Sequence, residues 1–240
     1  MSVGSVLLIG AGGLGCGAAL GLAAGGVPHL GVVDDDRVDE TNLHRQVLHD
    51  DAAVGMTKTA SLGRTLARRF PQLRVTPHDE RFTAGSAARL LDGYDVLVDG
   101  SDNLGTKFLA NDAAVLAGKP LVHAAAVGTG GQLLTVPAGG RPCYRCLFEE
   151  LPAEEAPSCA EAGVLGPVPG VLGALQAAEA LRLLHGETPA FAGRLIRYDS
   201  PALSLTTVRF RRNPLCRVCG DHPNITSLEE SAYRAEECTS

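Results

Sequence analysis

Ser5-Val6-Leu7-Leu8-Ile9-Gly10-Ala11-Gly12-Gly13-Leu14-Gly15 is a short apolar run that breaks into glycines. Such a run, continuously apolar from Val6 to Ile9, predicts a buried strand. The glycines let main-chain amides approach a phosphate. The helix expected over 13–25 adds the positive end of its dipole. Gly10, Gly12, Gly13 and Gly15 are therefore candidate nucleotide-binding residues. A second strand, Leu30 to Val33, closes on Asp34, at the spacing where an acid accepts from a ribose hydroxyl. The glycine motif alone does not separate a dinucleotide from ATP.

The same alternation continues outward. A helix over 54–69 ends at Phe70-Pro71, and Leu73 to Thr76 is a strand. Residues 84–91 read as a helix, Tyr94 to Val98 as a strand, 103–117 as a helix, and Leu121 to Ala124 as a strand. Strands joined by helical crossovers make a doubly wound parallel sheet. Beyond it, Gly131 to Val136 reads as a strand, 148–162 as a loop and 168–185 as a long apolar helix. Leu195 to Tyr198 and Leu203 to Phe210 read as antiparallel strands that extend the sheet. The expectation is one domain over 1–240. It is α/β and Rossmann-like, with a mostly parallel sheet and antiparallel C-terminal strands.

Composition narrows the function. The 240 residues are 45% hydrophobic and 20% charged, enough for a sizeable core and too apolar for disorder. The 21 Lys+Arg against 27 Asp+Glu leave net −6, so no basic surface points to nucleic acid. The apolar N-terminal stretch is broken by glycines and Pro28, and no cation precedes Arg37. That argues against a signal peptide and a membrane span, and a cytoplasmic protein is expected. Four of the seven cysteines form two C-x-x-C pairs, Cys143/Cys146 and Cys216/Cys219. In a reducing compartment the pattern favours a metal, and four thiolates suit tetrahedral, structural Zn2+.

Charge gathers after the second strand, in Asp34-Asp35-Asp36-Arg37-Val38-Asp39-Glu40-Thr41-Asn42-Leu43-His44-Arg45-Gln46. This is the sheet edge where open parallel sheets bind ligands. Arg45 with Lys58 suits a triphosphate. At the fourth strand's end, Ser101 or Asp102 can cap the following helix. Asp102 can instead hold Mg2+ beside the phosphates.

With these segments in view, the chain resembles the ThiF/MoeB/HesA group of ubiquitin-activating-enzyme-like adenylyltransferases. The matching stretches are GAGGLG at 10–15, DDDRVDETNLHRQ at 34–46, Lys58 in VGMTK, SDN at 101–103 and PCYRCLF at 142–148. They continue with the run at 157–184 and NPLCRVCG at 213–220. The resemblance implies binding of ATP and Mg2+ and adenylation of the C-terminal glycine of a ubiquitin-like sulfur carrier ending in Gly-Gly. It implies a nucleotide set of the four glycines with Asp34 on the ribose. Arg45 and Lys58 hold phosphates, with Gln46 beside them. Asp102 positions Mg2+, with Asn42 nearby and Asn103 alongside. Arg45, Lys58 and Asp102 are then the catalytic groups, working by position and charge neutralisation. No general base is needed, because the attacking carboxylate is already ionised.

Cys159, in Pro157-Ser158-Cys159-Ala160-Glu161, stands where sulfur-transferring relatives carry a cysteine that bonds covalently to the carrier. Its bland alternative is an inert loop thiol. Gly128 to Gln132 are candidates to flank the carrier's thin tail. Cys16 reads as core and Cys238 as a free thiol. The resemblance also implies a homodimer and, with no rhodanese-like extension, a separate sulfur donor. Two departures stand out. The family's N-terminal arginine, which reaches the partner's ATP site, is not expected here. Lys107 also stands where the family often has Arg. They motivate an alternative, a non-catalytic or partner-dependent subunit of a heteromeric complex. An NAD-dependent oxidoreductase explains the glycines and Asp34 but leaves TNLHRQ, SDN and the paired cysteines idle.

Overall fold

The structure is a computed structural model, and it describes residues 4–152 and 163–233. Eight strands form one sheet: β1 (Ser5–Ile9), β2 (His29–Val33), β3 (Arg74–His78), β4 (Val96–Asp99), β5 (Leu121–Val127), β6 (Gly130–Val136), β7 (Arg194–Asp199) and β8 (Ser204–Arg209). Their order is β3-β2-β1-β4-β5-β6-β7-β8. Neighbours from β3 to β5 run parallel, and those from β5 to β8 antiparallel. The chain order reverses between β1 and β4. In such sheets the ends of those two strands part and leave a crevice.

Helices α1 (Gly13–Ala24), α2 (Lys58–Arg69) and α5 (Pro167–Leu184) cover one face. Helices α3 (Ala84–Leu91) and α4 (Leu104–Leu116) cover the other, together with the cysteine-bearing segments. Strand residues alternate between the two cores: Leu7, Ile9 and Leu97 face α3 and α4, while Val6, Leu8, Val96 and Val98 face α1 and α5. Burial on both sides explains why these strands read as continuous apolar runs.

The all-round apolar character of α1 and α5 has a similar cause. Both lie between the sheet and each other, and their backbones nearly touch. A Cβ on Gly17 would sit 2.9 Å from the Gly170 carbonyl oxygen, and one on Gly173 would sit 2.4 Å from that of Leu14. Close approach of this kind needs small residues rather than a periodic stripe.

Two local expectations are corrected. Residues 54–57 do not open α2. Val38 N donates to Met56 O and Gly55 N to Val38 O, and Arg37 bridges Thr57, so the polar loop captures this stretch. Neither Ser101 nor Asp102 caps α4. Asn103 does, its side chain accepting from Thr106 N at 2.8 Å. The loop expected over 148–162 lies mostly outside the described residues, as do Cys159 and Cys238. Cys16 is fully buried as expected, and burial pushes its thiol up to about 12, so it is inert at neutral pH. Among the described residues no helix is long and apolar enough to cross a membrane.

Candidate functional site

A crevice opens where β1 and β4 part, enclosing about 910 Å3 of empty space including its mouth. Its floor is the glycine loop. Gly10 has φ +91°, and a Cβ there would meet the Gly100 carbonyl oxygen at 2.9 Å. A Cβ on Gly15 would meet Gly10 O at 2.0 Å, so glycine is required at both positions.

Ala11, the loop's first non-glycine, is held from two sides. Asp34 Oδ2 accepts from its amide at 2.7 Å, and His49 Nε2 lies 3.0 Å from its carbonyl. The other His49 nitrogen is 2.9 Å from Ser61 Oγ on α2. Burial keeps the His49 pKa below its ordinary value. The neutral ring can therefore donate to Ala11 while accepting from Ser61. The sequence reading missed His49, which sits in Val47-Leu48-His49 outside any recognised motif. Asp34 Oδ1 accepts from Asp36 N at 2.9 Å. Burial raises the Asp34 pKa, opposed by Lys58 and by the two amides.

The polar loop carries Arg45 to the rim. Asp39 shapes its start, accepting from Thr41 N at 2.8 Å and Thr41 Oγ1 at 2.6 Å. Asn42 Oδ1 then accepts from Arg45 Nη2 at 2.5 Å, which orients the guanidinium. Lys58 is the first residue of α2 and is buried. Its Nζ pairs with Asp36 Oδ2 at 2.7 Å. An arriving phosphate would have to draw the ammonium from that exposed carboxylate. Gln46 is buried against the loop, and among the described residues its Oε1 has no hydrogen-bond partner. Such an orphaned acceptor suits a ligand donor. His44 instead binds Thr41 O at the exposed surface.

Asp102 and Asn103 reach the crevice from the end of β4. Among the described residues no hydrogen bond or ion pair engages the Asp102 side chain, so its carboxylate is available to a cation. Asn103 lines the same wall but is already committed to its cap. Lys107 does not face the crevice. It is buried, and its Nζ donates to Ser101 O at 2.6 Å and Ala124 O at 2.7 Å and lies 3.3 Å from Asp99 Oδ2. The Lys107 charge is thus spent inside the protein rather than in the crevice. Asp99 is fully buried. Burial would raise its pKa, but Lys107 first, then His123 and Ser101, hold it below the usual carboxylate range.

Gly128 and Gly130 stand at the turn between β5 and β6, on the crevice side of the sheet's far half. Gly128 N donates to Gly163 O, and Leu165 N to Gly128 O, where the chain returns before α5.

A second candidate centre lies on the α4 face. The four sulfurs of Cys143, Cys146, Cys216 and Cys219 all lie within 4.8 Å of one another. Three of the separations are 3.9, 3.6 and 3.4 Å. Zn–S bonds of about 2.3 Å in a tetrahedron place sulfurs about 3.8 Å apart, so the cage fits zinc. Four thiolates leave no open position, which makes such a site structural. Nearby, Arg145 Nε is 2.8 Å from Asp112 Oδ1, and Tyr233 OH donates to Asp112 Oδ2 at 3.0 Å. The first cysteine segment and the C-terminal turn at Tyr233 are thereby tied to α4.

Comparison with known proteins accords with this geometry. A family model described as the ThiF family matches residues 2–218. A Thermus thermophilus protein named sulfur carrier protein adenylyltransferase is 47% identical over 230 residues, covering 93% of this chain and 85% of that protein. Adenylyltransferase and sulfurtransferase MOCS3 of Anopheles gambiae is 44% identical over 226 residues, covering 93% of this chain and 51% of it. The chain thus spans about half the length of the MOCS3 relatives it matches. Among solved structures, E. coli MccB with ATP superposes with a TM-score of 0.77 at 24% identity, covering 91% of this chain and 67% of that one. That likeness is one of fold.

Proposed function

The chain belongs to the ThiF family, and from that premise we propose that it adenylates the C-terminal glycine carboxylate of a ubiquitin-like sulfur carrier with ATP. The observation that carries the reading is convergence. Asp34, Arg45, Lys58 and Asp102 come from three separate stretches of chain and line one crevice over the glycine loop.

In this reading Asp34 accepts from the ribose, while the loop amides and the end of α1 face the phosphates. Arg45 and Lys58 neutralise the charge that builds on the departing pyrophosphate. A carrier carboxylate oxygen attacks the α-phosphorus as the bond to the β-phosphate bridging oxygen breaks. The products are an acyl adenylate and pyrophosphate. Asp102 would hold the Mg2+ of the nucleotide, which would supply positive charge against the phosphates. The carrier's tail is assigned to the Gly128–Gln132 stretch, where Gly128 has open space beside it while Gly130 and Gly131 pack against Tyr198 and Leu172.

Zinc in the four-cysteine cage, a homodimer and covalent transfer through Cys159 belong to the same proposal. In the last step the Cys159 thiolate would displace AMP from the adenylate and form a thioester. Lys107, engaged entirely inside the protein, takes away one motive for a partner-dependent subunit. The decisive experiment is ATP–pyrophosphate exchange with small carriers ending in Gly-Gly. Carrier-dependent exchange is expected. ATP binding without exchange for any carrier would favour the subunit reading.

A further inference from the structure

Ser101, the residue before Asp102, has all three of its hydrogen-bonding groups held by two buried side chains. Its amide donates to Asp99 Oδ1 at 2.9 Å, and its hydroxyl donates to the same oxygen at 2.6 Å. Its carbonyl accepts from Lys107 Nζ at 2.6 Å. Lys107 is 3% exposed and Asp99 is 0% exposed. The ammonium has three protons and three acceptors: Ser101 O, Ala124 O and Asp99 Oδ2. His123 Nδ1 approaches Asp99 Oδ2 at 2.7 Å from β5, off the line of a good hydrogen bond. On the other side of the sheet, Gln176 Nε2 donates to Asp99 O at 2.7 Å and Val122 O at 3.1 Å.

A loop between a strand and a helix needs no such investment for folding alone. Asn103 already caps α4, and Gly100 N already bonds Ile9 O. Burying an ion pair carries a desolvation cost that is seldom repaid in stability. What the network fixes is the main chain on which Asp102 stands.

We propose that Asp99 and Lys107 are positioning residues that clamp Ser101 as a rigid pedestal, so that the Asp102 carboxylate is pre-aimed at the divalent cation of bound ATP. Lys107 also holds Ala124, so the pedestal is tied to β5, the strand that runs on to the Gly128 turn. The inference rests on the reading of the crevice as an ATP·Mg2+ site.

The test compares Ser101→Ala, Ser101→Thr and Lys107→Met with the wild type in the full chain. Calorimetry gives the ATP affinity in EDTA and across a Mg2+ titration, and circular dichroism and melting temperature report folding. Loss of the Ser101 hydroxyl contact is expected to raise the half-saturating Mg2+ about fivefold. Lys107→Met is expected to raise it by at least about tenfold, since a charged donor is lost. ATP affinity in EDTA should stay within about twofold, because a bare triphosphate does not use Asp102. Ser101→Thr, which keeps the hydroxyl, should restore the wild-type Mg2+ requirement. Folded Ser101→Ala protein with an unchanged Mg2+ requirement would overturn the proposal, as would a loss that Thr does not rescue. Should Lys107→Met fail to fold, the Ser101 pair decides. Wild-type protein that binds ATP without any response to Mg2+ would instead sink the metal-site reading itself.

Discussion

The crevice and the cysteine cage lie on opposite logics of construction. The cage satisfies itself: four sulfurs from two distant segments close around one central point and leave no vacancy. The crevice keeps reserve capacity. Among the described residues Asp102 is unengaged and Gln46 Oε1 is unpartnered, and Lys58 rests on an exposed carboxylate. A saturated centre contributes to stability, while an unsaturated one can do chemistry. Removing a piece of the first should cost the fold, and removing a piece of the second should cost only the reaction.

The largest effect is expected at the cage. Cys216→Ser with Cys219→Ser should abolish zinc binding and lower the melting temperature by more than about 10 °C, with activity falling as a consequence. Chelation under mild denaturant should release about one zinc per wild-type chain, measured by metal analysis. Metal-free protein of unchanged melting temperature would break the contrast. Next comes Asp102→Ala. Exchange should fall by a factor on the order of 100–1,000, with melting temperature held within about 2 °C. A large loss of stability there would erase the distinction.

His49→Ala sharpens the contrast, because His49 is neither in the cage nor at the reacting atoms. It supports the Ala11 carbonyl, so KM for ATP should rise about fivefold while kcat changes little. The smallest effect is in pH. Burial raises the Asp34 pKa above its ordinary 3.8, and only the ionised carboxylate accepts fully from Ala11 and a ribose. ATP affinity should therefore weaken on acidification, and begin to do so at a higher pH than an ordinary aspartate would dictate. Asp34→Asn should flatten that limb in a binding titration.

Much of this contrast was legible in sequence, for local reasons. The glycine run, the strand ends and the two C-x-x-C pairs each carry their signal within a few residues. Helix α3 spans 84–91 as expected, and its start is fixed locally by the Thr83–Ser86 capping box. What the sequence hid was long-range. Residues 54–57 are expected to open the helix but are held instead by Val38, sixteen or more positions earlier. Lys107 reads only as a lysine where the family often has arginine. Only the packing of α4 on β4 and β5 shows that its ammonium points inward. His49 has no motif to announce it, because its role depends on Ala11 and Ser61 meeting around it.

The cage also has a direction in time. Cys143 and Cys216 are 73 positions apart in the chain. At synthesis rates of about 5–20 residues per second, the first pair waits roughly 4–15 s on the ribosome before the second is made. Zinc captured by the first pair alone would be loosely held and exchangeable. Only once the strands β7 and β8 have been laid beside β6 can the ion be locked in, so metal retention would report that the nascent sheet has been finished.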